Sequence, residues 1–235
     1  MESIVNPLSL KGLLALEPAF QTVLDLYGTP PNWRRLCSFD SLVKIILEQQ
    51  ISLQSAHAHY MKLATYLGNN GNSISYVIVN RVKQSQDDTG RHASHSMTVT
   101  PESLITLTDQ EMRACQISRQ KMVYLREVAQ ATLDGRLDFR ELHKVSIAEA
   151  KQTLINIKGV GEWSAQVFAI FCLQAPDEFP AGDIAVINSA KDLFGLATRE
   201  EVIKQSHSWS PYRTLATFLL WYYYLKKRNR STELL

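Results

Sequence analysis

Apolar residues recur at intervals of three and four along almost the whole chain, and alternation of apolar with polar residues is close to absent. The first spacing keeps one side of a helix apolar; the second is what a half-exposed strand requires. A chain patterned this way has little from which to build a sheet, so the expected fold is all-α. Leu10, Leu13, Leu14 and Leu16 mark one face of a first helix. It is expected to run on through Phe20, Val23, Leu24 and Leu26 to a stop at Gly28, ahead of Pro30 and Pro31. Ser38 opens a second helix carrying Leu42, Ile45 and Ile46, and after a break at Gln49–Ser52 a third runs from about Leu53 to Leu67, ended by Gly68.

Residues 69–97 change character: they are polar and turn-rich, with the run Ile74–Val79 the one stretch of strand-like composition, and they read as an insertion loop. Helical patterning returns at Thr100-Pro101, a capping threonine followed by proline at the first helical position. Short helices are expected at 101–106, 109–115 and 119–133, and Ser146-x-x-Glu149 is a capping box for a helix ending near Ile155. Further helices are expected at 161–173, 184–194, 199–207 and 212–226. No repeat and no Ser/Gly-rich linker divides the chain. The expected organisation is two helical lobes with a cleft between them, one built from 1–37 plus 175–235 and the other from 38–174.

With 45% hydrophobic residues among 235, the chain can bury a sizeable core. Its formal net charge is only +2, which excludes a uniformly basic nucleic-acid coat, so any such binding must use local clusters and backbone amides. Three scattered cysteines without a CxxC pair exclude a four-thiol zinc or iron–sulfur site and point to a reducing compartment. Among the six histidines, His57-x-His59 and His92-x-x-His95 lack acidic or thiol neighbours and read as surface residues. The N-terminal stretch lacks the basic, apolar and small-residue order of a secretory signal, and the apolar stretch Leu215–Leu225 is short for a membrane span. A soluble, intracellular protein without membrane attachment is expected, cytoplasmic in a bacterium or nuclear in a eukaryote.

The segment with most chemical content is Leu154-Ile155-Asn156-Ile157-Lys158-Gly159-Val160-Gly161-Glu162-Trp163-Ser164-Ala165. Two glycines around Val160 allow backbone conformations that a Cβ resists and clear space for a large partner. Amides at the start of the next helix are placed where the helix dipole favours an anion, such as a phosphate of a nucleic-acid backbone. A hairpin closed by glycines for packing alone accounts for Gly-x-Gly equally well.

The longer pattern resembles the helix-hairpin-helix of base-excision DNA glycosylases, close to L-x-G-V-G-x-x-[ST]-A. The resemblance implies phosphate contacts at Gly159, Val160, Gly161 and Ser164, and a monovalent cation, sodium or potassium, held by the carbonyls of Ile155, Ile157 and Gly159. It continues at Phe179-Pro180-Ala181-Gly182-Asp183, where the family places a catalytic aspartate; Asp183 lies 22 residues beyond Gly161 and also suits a helix N-cap. A third match, Trp209-Ser210-Pro211-Tyr212-Arg213 followed by Trp221, is similar to the 3-methyladenine branch. There Trp221 corresponds to a tryptophan that stacks on the base, and Gln50, in the break after the second helix, to the wedge that fills the gap left by a flipped nucleotide.

Bifunctional relatives carry a Schiff-base lysine four positions after the first hairpin glycine; here that position is Trp163, which the resemblance implies lies at the pocket wall or near the lesion's backbone. The resemblance therefore implies hydrolysis of the glycosidic bond of alkylated purines in damaged double-stranded DNA, by a monomer, without strand cleavage and with no cofactor for the chemistry. Too few residues precede Ser38 for the N-terminal β domain of the larger bacterial members, so none is expected. The sequence departs from the family pattern at Val167, where some relatives have a tyrosine, and at Ile184–Ser189, which lack the basic residues often found there. Two alternatives stay open: a DNA-binding module without catalysis, and a glycosylase for uracil, hypoxanthine or mismatched bases. The basic run Lys226–Arg230 reads as a solvated helix end.

Overall fold

The computed structural model describes residues 3–69 and 98–233, and among these every regular element is helical. The insertion loop expected at 69–97, with its strand-like run at 74–79, lies outside the described residues apart from Asn69. No helix among the described residues is long and apolar enough to cross a membrane.

The chain divides into two compact units. One comprises residues 1–37, 140–156 and 160–235; the other comprises 38–139 and 157–159. The break after Cys37 lies where it was expected. Residues 140–174, expected in the central lobe, instead belong to the unit of the termini except for 157–159. Packing explains the difference: Lys151 pairs with Glu178 at 2.8 Å, and the Phe171 ring stacks on Trp221, so this stretch contributes to the terminal unit's core.

In the unit of the termini, α1 (Pro7–Leu16) is opened by Asn6, whose side chain accepts the Ser9 N–H. A single helix to Gly28 was expected, but α1 stops before Pro18, a 3₁₀ turn covers Pro18–Phe20, and α2 spans Gln21–Tyr27. Proline has no N–H for the helical ladder and its ring disfavours helical geometry in the residue before it; Glu17 accordingly sits at φ −142°, ψ 86°. After the crossover come α8 (Ile147–Ile155), α9 (Glu162–Phe171), α10 (Ile184–Phe194), α11 (Arg199–Ser206) and α12 (Arg213–Lys227). Trp209 is fully buried amid Phe20, Phe179 and Phe194, with ring centroids 5.3, 5.6 and 5.4 Å away. Gly12 of α1 is glycine for want of room: a Cβ there would lie 2.4 Å from the Tyr212 ring.

The other unit holds α3 (Phe39–Glu48), α4 (Leu53–Asn69), α5 (Pro101–Ile105), α6 (Asp109–Ala114) and α7 (Arg119–Leu133). Ser38, Thr100, Thr108 and Ser118 each cap a helix by accepting an N–H from its first turn. α3 packs on α4 and α7, and α5 on α7, around Leu42, Ile45, Leu63, Leu104 and Leu125, all fully buried. Asp40, itself buried, accepts the Tyr60 hydroxyl at 2.5 Å and the Val99 N–H at 3.1 Å, and pairs with Lys44 at 2.8 Å. Burial, and then the Asp40 hydrogen bond and charge, push the Tyr60 phenol well above its ordinary range. This network pins the chain at Val99, just ahead of α5.

Candidate active site

The hairpin joins α8 to α9 through a turn whose two glycines do different jobs. Gly159 has φ +97°, and a Cβ on it would lie 2.2 Å from Cγ of Tyr124 on α7, so the fold itself demands glycine. Gly161 sits at φ −89°, ψ 177°, which any residue adopts, and a Cβ there would meet nothing within 4 Å. Among the described residues its smallness serves no contact. Val160 and Ile157, 3% and 4% exposed, anchor the turn. Gly161 is the N-cap of α9 and no side chain caps that helix, so the amides of Glu162 and Trp163 remain available to an anion. Ser164 departs from its expected role: at 1% exposure its hydroxyl is enclosed and not presented to a phosphate. It is the third residue of a helix whose inner side carries Ala165, Val167 and Phe168 into the core.

Asp183 caps α10. One carboxylate oxygen accepts the Val186 N–H at 3.0 Å and the other accepts the Trp163 indole N–H at 3.0 Å. The carboxylate is half-buried, it sits at the positive end of a helix, and both oxygens are held, so its orientation is set before any substrate arrives. Such a group can stabilise positive charge at a sugar and can orient or deprotonate water. The loop leading to it is latched from behind. Arg213 clamps Asp177 through two bonds of 2.8 and 2.9 Å, Ser210 donates to Asp177 at 2.8 Å, and the Thr214 hydroxyl accepts the Glu178 N–H at 3.0 Å. Burial alone would raise the Asp177 carboxyl, but the bonds from Arg213 and Ser210 outweigh it and hold the group below its ordinary value. The Trp209–Arg213 segment is thus a structural latch for the loop that leads to Asp183.

Trp221 is 5% exposed, and Phe171 stacks on it at 5.2 Å with 11° between the planes. Arg35 in turn lies over Phe171, 4.8 Å from its centroid. Trp221 is therefore mainly a core residue, with one face already occupied. The tail is also engaged: Arg228 stacks on Tyr224, and Lys227 pairs with Asp192.

In the other unit, Gln50 is exposed at the end of α3 with φ +59°, and its neighbour Gln49 is half-buried, donating to the Gly159 carbonyl at 2.9 Å. Lys121 of α7 donates to the Leu47 carbonyl at 2.6 Å, satisfying one of the oxygens that the end of α3 leaves open. Burial lowers the Lys121 ammonium below its ordinary value, against a smaller opposing pull from Glu48.

The family model for the HhH-GPD superfamily base excision DNA repair proteins matches residues 43–211. The chain belongs to this superfamily. It is 26% identical over 218 residues to DNA-3-methyladenine glycosylase 1 of Schizosaccharomyces pombe, covering 84% of each chain. It is 30% identical over 123 residues to DNA-3-methyladenine glycosylase of Bacillus subtilis, covering 51% of this chain and 41% of that one. Among solved structures, the S. pombe glycosylase in complex with abasic DNA superposes with TM-score 0.71 at 26% identity, covering 91% of this chain and 94% of that one. The DNA-3-methyladenine glycosidase of Bacillus halodurans gives 0.70 at 26% identity, with 99% and 96% covered.

Some pairings of the site carry no local sequence signal, the Arg213–Asp177 latch among them. The Trp163–Asp183 bond joins two residues singled out separately, but a 20-residue separation carries no signal that they touch. For Gln49 the sequence offers a single hint, a second glutamine in a helix break. The structure brings Asp183 and Trp163 into direct contact, places Trp221 in the same unit, and places Gln50 in the other.

Proposed function

We propose that this chain is a monofunctional DNA glycosylase that flips alkylated purines, of the 3-methyladenine and 7-methylguanine type, out of damaged duplex DNA and hydrolyses their glycosidic bond. The observation that carries this is Asp183, fixed at a helix N-terminus by Val186 and by the very residue, Trp163, that stands where a Schiff-base lysine would be. An indole cannot form an imine, so the carboxylate is left with the hydrolytic role. Asp183 stabilises the developing oxocarbenium ion and guides water to the sugar; Trp163 keeps the carboxylate aimed. Alkylation at a ring nitrogen makes the base cationic and a good leaving group, so little further help is needed. Trp221 is the ring proposed to hold such a base, through a cation–π preference of about 0.5–2 kcal/mol. The amides after Gly161 take a phosphate, which positions the enzyme without reading sequence.

A monovalent cation suits the hairpin: its donors there are neutral carbonyls, and that of Ile155 belongs to the last residue of α8, where helical bonds run out. Ile157 and Gly159 would complete the set, Gly159 while also accepting from Gln49.

Mass spectrometry of bases released from methylated DNA, combined with strand analysis, tests the proposal. Methylated purines should appear, the strand should break only after alkali, and borohydride should trap no adduct. A trapped complex that vanished in Lys158→Ala would overturn the monofunctional reading. Binding without any base release would leave a non-catalytic module, and release of uracil or hypoxanthine alone would change the lesion class.

A further inference from the structure

The loop between α3 and α4 holds its exposed residue in a conformation that its sequence does not favour. Gln50 is in the left-handed region at φ +59°, a conformation uncommon for a non-glycine residue and costly to hold. Three contacts surround it. Lys121 fixes the last turn of α3 through the Leu47 carbonyl, and Ser52 opens α4 by accepting the Ser55 N–H at 3.2 Å. Between them, Gln49 reaches 110 residues along the chain to the Gly159 carbonyl. The Tyr124 ring fills the space beside Gly159 so closely that no Cβ fits. The residue next to the expected wedge is therefore tied to the glycine turn that precedes the phosphate-binding amides.

We propose that Gln49 is a positioning residue that couples the hairpin's hold on the DNA backbone to insertion of Gln50 into the duplex. This rests on the reading of the chain as a base-flipping glycosylase. The hydrogen bond is half-buried, so water replaces it poorly, and it requires a donor at the end of a side chain of this length. Without it the strain at Gln50 relaxes, the loop loses its register on the hairpin, and the hairpin amides still hold the phosphate. DNA binding and base flipping then separate.

The test uses Gln49→Met, which keeps length but removes the donor, and Gln49→Glu, which keeps shape but sets a carboxylate against the carbonyl. Gln50→Ala and the double variant Gln49→Met/Gln50→Ala complete the set. Each is assayed on a duplex carrying 2-aminopurine beside a tetrahydrofuran abasic analogue, on an undamaged duplex, and for single-turnover release of 7-methylguanine. Gln49→Met should lower both the unstacking signal and the release rate by about tenfold, with affinity for undamaged duplex within about twofold of wild type. Gln49→Glu should be lower still, and melting temperatures should move by only a few degrees. The double variant should be no worse than Gln50→Ala alone, because Gln49 acts through Gln50. Wild-type flipping in Gln49→Met, multiplying effects in the double variant, a parallel fall in undamaged-duplex affinity, or unfolding of both Gln49 variants would each overturn the proposal. If wild type neither unstacks nor releases the base, the glycosylase reading fails first and the coupling falls with it.

Discussion

Alanine at Gly159 and alanine at Gly161 should have opposite consequences, although the two glycines stand two residues apart in one motif. At Gly161 the backbone is extended and a methyl group meets nothing within 4 Å, so the native state bears no strain. Alanine restricts the unfolded chain, a gain of about 0.4–1 kcal/mol, but is a poorer N-cap by a similar amount. The net change in stability is close to zero. At Gly159, φ +97° forces an L residue into a region worth about 1–3 kcal/mol of strain. The methyl group would also lie 2.2–2.6 Å from Cγ, Cβ and Cδ1 of Tyr124, and overpacking of that kind adds about 1–3 kcal/mol. These three atoms are the root of the side chain, so Tyr124 cannot swing clear, and Tyr124→Ala relieves the clash only in part. For a domain of this size the combined cost lowers the melting temperature by roughly 5–20 °C. DNA binding should report the reverse order of interest. Gly161→Ala places a methyl group where a phosphate approaches charged-group hydrogen bonds worth about 1.5–3 kcal/mol, and should weaken binding about tenfold or more on every duplex. Thermal unfolding and fluorescence anisotropy on two unrelated duplexes at one salt concentration measure both effects. Wild-type binding by Gly161→Ala, or a wild-type melting temperature for Gly159→Ala, would refute the division of labour.

Asp183→Asn removes charge but little volume, and should cut single-turnover base release by about a hundredfold or more while affinity for abasic DNA is kept; wild-type rates would remove Asp183 from catalysis. Trp163→Phe keeps the ring but loses the N–H that holds one carboxylate oxygen, so release should fall about threefold to tenfold with binding unchanged, and a loss of binding alone would contradict its aiming role. Asp177 has its folded-state carboxyl below the ordinary value, so its contribution to stability is complete above about pH 4 and is lost as pH falls through the folded value. Asp177→Asn should therefore melt lower than wild type at neutral pH, with the gap closing on acidification; a gap independent of pH would refute the assignment.

Much of the helical framework was legible because its signals are local. Ser38, Thr100-Pro101 and Ser146-x-x-Glu149 cap the helices they were expected to cap, and α7 and α10 run over 119–133 and 184–194 as the periodicity indicates. Where two local signals conflict, the proline decides: the apolar stripe continues through Pro18, but the α-helix does not. Lobe membership was legible at Cys37 and not at 140–174, because a helix's apolar stripe says that it is buried without saying against what. The same limit applies at the site. Asp183 could be found from its turn and spacing, but its indole donor, the Arg213–Asp177 latch and the Gln49 bridge are pairings between distant residues. Each residue alone is an ordinary polar or aromatic side chain. Ser164 shows the converse, a residue matching a motif letter whose hydroxyl is enclosed.

The order of synthesis gives the packing of α1 and α2 a further meaning. Leu13, Phe20 and Val23 are fully buried, yet the groups that bind this stretch come from the far end of the chain. Tyr222 donates to the Tyr27 carbonyl across 195 residues, the Trp33 indole donates to the Thr232 carbonyl across 199, and Phe20 meets Phe194 and Trp209. At about 5–20 residues per second a ribosome leaves residues 7–33 waiting roughly 10–40 s for those partners. The unit at 38–139 is nearly continuous and can close on itself in the meantime. Nascent chains halted before α12 should therefore present a folded middle while the apolar residues of 7–33 are still uncovered.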